Sequence, residues 1–436
     1  MSGPDFLPPL PPRVHPTAVF DGIRDTGGVN GFFADLESRG GILVRDDPGS
    51  DTATVAFARR VRHPDESVVV LFDTITHMLR DRLDHFTLAR YRVDGTEVHA
   101  GAFVLPRGLR ATTSLLVERD LDPAIARDRG SWHAVYARTT ALSGATEVLT
   151  TLEGGQANCL VLPGAPTSPF LPPQSTGERS TVGVTGTAPG TLTSEVIDSR
   201  ALGRPMRLHA AFPPVDAGPV TAAVIVADGD RLVREFPFPG ALRRAERAGF
   251  CAPTAALLFT PVDPEARGEV LGCHPGLPGF LEHELLPWAR RHGPVPGDPR
   301  RLAVAGASLG GLAAADVVRQ IPDAVGNAVV QSGSFWWPGP DGREGLPLRQ
   351  WDRDGAELVG RVRVVQEVGT LEGHLRSHNR AFRDILRASG VDVTYREYVG
   401  GHDYSCWRVG LLDAIGHLFP GVDRAVPSPH TNGPFT

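Results

Sequence analysis

The chain has 436 residues and a net charge of −6, which gives nucleic acid no electrostatic footing and, at this length, predicts two domains. All 44 basic residues are arginine, so Schiff-base lysines, a lysine-bearing P-loop and a Ser–Lys dyad are excluded. The four cysteines, Cys159, Cys251, Cys273 and Cys406, are scattered without a Cys-x-x-Cys pair, which argues against a zinc site or a disulfide framework.

In chain order, residues 1–18 are proline-rich and predict a flexible start. They lack the basic and apolar regions of a signal peptide, and no run is long enough to span a membrane, so a cytoplasmic location is expected. Short apolar runs at Thr52–Arg59, Ser67–Phe72, Phe86–Tyr91, Glu97–Val104, Thr112–Val117 and Asn158–Leu162 read as strands. Their spacing predicts an all-β, immunoglobulin-like sandwich over 19–170. The Pro-, Ser-, Thr- and Gly-rich stretch 171–191 predicts a linker. An α/β domain over 192–423 and a tail over 424–436 follow.

The second domain alternates strands with helices. The strands are expected at Thr193–Asp198, Met206–Phe212, Ala222–Ala227, Ala255–Pro261, Leu302–Gly306, Asn327–Gln331, Val362–Glu367 and Val393–Tyr398. The helices are expected at Gly240–Ala248, Gly279–Arg291, Gly311–Gln320, Leu375–Ala388 and Trp407–Leu418. This pattern predicts a mostly parallel sheet covered on both faces, the α/β-hydrolase architecture.

Gly306-Ala-Ser308-Leu-Gly310 lies between a strand and a helix, the setting of a nucleophile elbow. A serine hydroxyl needs a general base, usually oriented by a carboxylate, and in such chains the order is Ser, acid, His. His402, on a glycine-rich loop after the last strand, fits the base. Glu372 fits the acid, with Glu367 competing for the role and Asp403 read as shaping the loop. The oxyanion donors expected are the N–H of Leu309 and one from the loop at Gly229 and Asp230. Glu372, His374 and His378 also fall close together, but no further ligands accompany them and Arg376 and Arg380 stand beside them; no metal and no cofactor are expected.

Several segments resemble the enterochelin (enterobactin) esterase family. They are Gln331-Ser-Gly-Ser-Phe-Trp-Trp-Pro338, Gly400-Gly-His-Asp-Tyr-Ser-Cys-Trp-Arg408, and Gly369-Thr-Leu-Glu372 with Asn379. Glu284-Leu-Leu-Pro287 and Asp228-Gly229 are also similar to family segments, and the amino-terminal half matches more weakly. The resemblance implies Ser308 as nucleophile, His402 as base and Glu372 as acid, acting on ester bonds of a catecholate siderophore. A departure falls at Asp230-Arg-Leu232, where the family tends to carry an aromatic pair. Another falls at Arg267-Gly-Glu-Val-Leu-Gly-Cys-His274, where Val270 replaces an acid and His274 an amide. These changes imply a reshaped catechol pocket. The substrate-binding residues expected are Arg267, whose planar fork suits catecholate or carboxylate anions, with His274, Trp336 and Trp337. The expected partner is a small-molecule ester or lactone, a ferric siderophore among them, with neither nucleic acid nor membrane. The alternative keeps the acyl-enzyme and passes it to an amine or alcohol, as an acyltransferase or macrolactone-forming enzyme.

Overall fold

The computed structural model describes residues 7–171 and 192–421, apart from 47–48, 120, 123–124, 126–128, 146 and 152–153. Residues 172–191 of the expected linker and the expected tail lie outside the described residues.

Among its described residues the amino-terminal part has nine strands. They are β1 (Arg13–Val14), β2 (Leu43–Asp46), β3 (Thr52–Arg60), β4 (Glu66–Phe72), β5 (Ala89–Val93), β6 (Thr96–Pro106), β7 (Arg110–Arg119), β8 (Val148–Thr150) and β9 (Gln156–Val161). One antiparallel sheet runs β1-β6-β3-β2, with β5 also on β6, and the other runs β4-β7-β9-β8. Phe57, Phe72 and Phe103 fill the core between them in edge-to-face contact, with centroids 5.4–6.2 Å apart.

The outer face of the first sheet is not solvent. Helices Thr17–Asp25 and Val29–Ser38 lie on it through Val19, Ile23, Phe32 and Leu36. The sheet offers Ala56, Ala58, Ala100 and Ala102 there, small side chains that let helix backbones come close. The amino-terminal part is therefore not purely β, and Arg13–Val14 pairs with β6, so the expected flexible start is ordered by that point. The strand expected at Phe86–Tyr91 is also displaced: Leu83–Phe86 is helical and β5 begins at Ala89.

Among the described residues, eight strands build the second sheet. They are β10 (Leu192–Ser199), β11 (Arg204–Ala211), β12 (Ala222–Ala227), β13 (Thr254–Pro261), β14 (Leu302–Ala307), β15 (Asn327–Gln331), β16 (Arg363–Gly369) and β17 (Asp392–Tyr398). Their order is β10-β11-β13-β12-β14-β15-β16-β17, antiparallel from β10 to β13 and parallel from there on. β12 and β14 are buried along their whole length, which is why they read as unbroken apolar runs. Helices Leu309–Gln320, Leu346–Asp354 and Gly373–Ser389 cover one face, while Phe238–Arg247 and the last helix, Tyr404–Leu418, cover the other. The carboxyl ends of β12, β14, β15, β16 and β17 lead into Asp228, Ser308, Ser332, Thr370 and Val399, so the segments that follow gather at one edge of the sheet.

Candidate active site

Ser308 is the residue between β14 and helix Leu309–Gln320, with φ 59° and ψ −119°. A non-glycine residue adopts such a backbone only when its surroundings hold it there. Two hydrogen bonds do so: Ser308 N–H donates to Gln331 O at 2.9 Å, and Ser308 O accepts from Ser334 N–H at 3.1 Å. The turn is so tight that a Cβ on Gly306 would lie 2.5 Å from the Gly310 carbonyl carbon. The Ser308 hydroxyl lies 3.3 Å from that of Ser334; among the described residues it makes no hydrogen bond to His402.

His402 and Glu372 are brought into direct contact, with Nδ1 2.7 Å from Oε2. The carboxylate is buried, whereas the imidazole is 42% exposed. The other oxygen, Oε1, accepts from Ser332 Oγ at 2.6 Å and from Gly369 N–H at 2.7 Å. Trp407 Nε1 donates to Ser332 Oγ at 3.0 Å, and its ring stands edge-on to His402 with centroids 4.7 Å apart. Burial, and then the charge of Glu372, push the Tyr398 hydroxyl well above its ordinary pKa. It therefore keeps its proton and donates to Gly401 O at 3.1 Å. Ser332, Tyr398 and Trp407 were not singled out from the sequence as part of this network. Ser332 and Trp407 lay inside segments with a family resemblance but had no role assigned, and the signal for Tyr398 was its place before the histidine loop.

The two other carboxylates have different partners. Glu367 is buried beneath, accepting from Gln331 Nε2 at 2.6 Å and Arg396 Nη2 at 2.5 Å. Asp403 begins the last helix, accepting from Ser405 N–H at 2.7 Å, and also binds Thr112.

The N–H groups of Leu309 and Gly229 both open helices, where no intrahelical acceptor exists. Neither has an acceptor among the described residues. Asp230 requires a correction. Its N–H donates to Thr260 Oγ1 at 3.0 Å, and its carboxylate faces β11, 2.7 Å from Arg207 and 2.8 Å from His209. An amide already satisfied in this way is not available to an oxyanion.

Arg267 requires another. Its fork is engaged by Asp228 in two hydrogen bonds of 2.6 and 2.7 Å. Burial opposes its charge, but the adjoining Asp228 carboxylate more than compensates and holds its pKa above the ordinary value. Arg267 thus fixes the left-handed Asp228, φ 61°, which precedes Gly229. His274 Nδ1 accepts from Gly276 N–H at 3.0 Å. Trp336 and Trp337 are half-buried, with ring centroids 5.5 Å apart. Glu372 does not join His374 and His378. Glu344 stands near that pair instead, on the surface, and is the described group whose spacing would allow a metal ion.

The Esterase family model matches residues 199–418, half of the chain. Iron(III) enterobactin esterase of Dickeya dadantii is 36% identical over 213 residues, 47% of this chain and 49% of that protein. The chain therefore spans about half the length of the first curated relatives it matches. Iron(III) salmochelin esterase of Escherichia coli O6:H1 is 26% identical over 407 residues, 89% of this chain and 93% of that protein. Ferric enterobactin esterase from Salmonella typhimurium shares the fold, with TM-score 0.74 and 23% identity over 88% of this chain and 98% of that one. Enterobactin esterase from Shigella flexneri, in the presence of enterobactin, has TM-score 0.72 and 21% identity over 90% and 98% of the two chains. The chain belongs to the Esterase family. No helix among the described residues is long and apolar enough to cross a membrane.

Proposed function

We propose that this protein is a serine esterase of the α/β-hydrolase type that hydrolyses the ester bonds of a catecholate siderophore or a related lactone. The reading is carried by the 2.7 Å contact between His402 Nδ1 and the buried Glu372 carboxylate, beside a serine on a strained strand-to-helix turn. The strand order and the order Ser308, Glu372, His402 along the chain support it.

Glu372 accepts the hydrogen bond of the His402 Nδ1–H and so fixes the proton on Nδ1, leaving Nε2 to act as base. Ser308 Oγ turns from Ser334 toward His402, gives up its proton to Nε2 and bonds to the ester carbonyl carbon. The carbonyl oxygen becomes an oxyanion held by the N–H groups of Leu309 and Gly229. The tetrahedral centre then expels the alcohol, which leaves with the proton from His402. Water, giving a proton to the same Nε2, attacks the acyl-enzyme, and the acid departs with Ser308 restored. Trp336 and Trp337 offer apolar surface to the substrate's aromatic rings, while Arg267 acts on the oxyanion loop through Asp228 and not as an open anion site.

A fluorophosphonate probe followed by peptide mass spectrometry tests the machinery. Labelling at Ser308, lost in His402→Ala, is expected. Labelling elsewhere, or labelling of Ser308 that is indifferent to His402, would refute the assignment.

A further inference from the structure

His402 is the most exposed member of the candidate triad and sits on a loop. Its side chain is anchored at one end, by Glu372. Its backbone is held on one side by the catalytic part, where Tyr398 donates to Gly401 O and Leu371 N–H to Gly400 O, and on the other by the amino-terminal part, through residues that include Thr112, 291 positions before Asp403. On one flank is Asp403, only 2% exposed, whose Oδ2 accepts the Thr112 N–H at 2.5 Å and whose Oδ1 accepts the Thr112 hydroxyl at 2.6 Å. On the other flank is Gly401, against which Thr74 packs so closely that a Cβ would fall 1.5 Å from Thr74 Cγ2.

Around these contacts β7 lies along the histidine loop. Arg110 N–H donates to Val399 O at 3.3 Å and Arg110 Nε to Ser405 O at 2.6 Å. The Cys406 thiol donates to Arg110 O at 3.2 Å. Arg110 and Arg408 both pair with Glu147, so a cation of the last helix and one of β7 share a carboxylate carried by the amino-terminal part.

We propose that Thr112 and Asp403 are positioning residues for the general base: the amino-terminal sheet holds the backbone of His402 in the register at which its imidazole spans Glu372 and the nucleophile. The proposal rests on the Ser308–His402–Glu372 reading and adds to it a source of alignment outside the catalytic sheet. A carboxylate with three donors, two from Thr112 and one from Ser405, has no slack. Losing the Thr112 hydroxyl leaves only its backbone N–H on Asp403, and losing the Asp403 carboxylate removes both contacts; either loosens one side of the loop, and sub-ångström displacement of a base is costly in rate.

The test compares Thr112→Val, Thr112→Ser and Asp403→Ser in the full chain, with a p-nitrophenyl ester of a short acid as substrate. Thr112→Val removes the hydroxyl and keeps the shape. Asp403→Ser keeps a good helix cap but no longer reaches Thr112, so it decides the matter should Thr112→Val not fold. The proposal predicts kcat about tenfold or more lower in both, KM within about twofold of wild type, and Thr112→Ser restored to near wild-type kcat. Unchanged kcat in both variants overturns it. So does a loss in which thermal stability falls and Thr112→Ser is as impaired as Thr112→Val, since the contact would then serve the fold alone. Ser308→Ala and His402→Ala run alongside. Turnover surviving in those two sinks the triad reading itself, whereas their inactivity beside a fully active Thr112→Val and Asp403→Ser sinks only the positioning role.

Discussion

Replacing Glu372 with glutamine separates the role of its charge from its shape. Oε1 accepts from the Gly369 N–H at 2.7 Å, a donor that cannot reverse, and from the Ser332 hydroxyl at 2.6 Å, with the Tyr398 hydroxyl 3.4 Å away. The amide oxygen of glutamine must therefore take that side, which leaves its NH2 facing His402 Nδ1, 2.7 Å away in the native protein. Two donors cannot share that contact. His402 is driven to the tautomer with its proton on Nε2, where it cannot receive one from Ser308. The expected loss in kcat is about 10³–10⁴-fold, against about 10⁶-fold for Ser308→Ala. The hydrogen bonds on the oxygen side survive and the His402 contact is remade with its direction reversed and without the carboxylate's charge, so the cost in stability is about 1–2 kcal/mol, a shift of a few degrees in Tm. Steady-state turnover of an activated ester, alongside melting curves, measures both. A Glu372→Gln enzyme within about threefold of wild type would refute the tautomer argument, as would an equal loss in Glu372→Gln and Ser308→Ala.

Arg267→Met should destabilise the fold by about 3 kcal/mol, because it strands the buried Asp228 carboxylate; a raised KM with unchanged Tm would instead mean a direct contact with substrate. Burial opposes ionisation of Glu397, yet hydrogen bonds from Arg380, Arg376 and Tyr395 hold its pKa down to about 2. A lowered carboxylate pKa adds stability that is present above the unfolded value and lost as pH falls through the folded one. Part of the acid destabilisation between about pH 4.5 and 2 should therefore disappear in Glu397→Gln; identical acid-unfolding curves for the variant and wild type would contradict the shift.

The central parallel strands of the second sheet, β12 to β15, were legible because strands buried on both faces are continuous apolar runs, and all the described strands of that sheet fell within a few residues of their expected places. The glycine-flanked turn at Ser308 was legible for a different reason, since tight backbone approach leaves little choice of residue. Helices Thr17–Asp25 and Val29–Ser38 were not, because their covering face is sparse and the alanines of β3 and β6 that receive them look like ordinary strand residues. Asp230 and Arg267 were misjudged because sequence cannot say which acceptor a donor has already met. Thr260, for the Asp230 amide, and Asp228, for the Arg267 fork, lie 30 and 39 residues away. The grip of Thr112 on Asp403 spans 291 residues and left no local trace at all.

The most direct test of the central claim is mass-spectrometric product analysis of the purified protein beside Ser308→Ala, on iron-free and iron-loaded tri-catecholate serine lactones. The account predicts linear trimer, dimer or monomer released by the wild-type protein and absent with Ser308→Ala. Intact lactone after prolonged incubation, with Ser308 still labelled by a fluorophosphonate, would contradict the siderophore assignment and direct the same machinery to another ester.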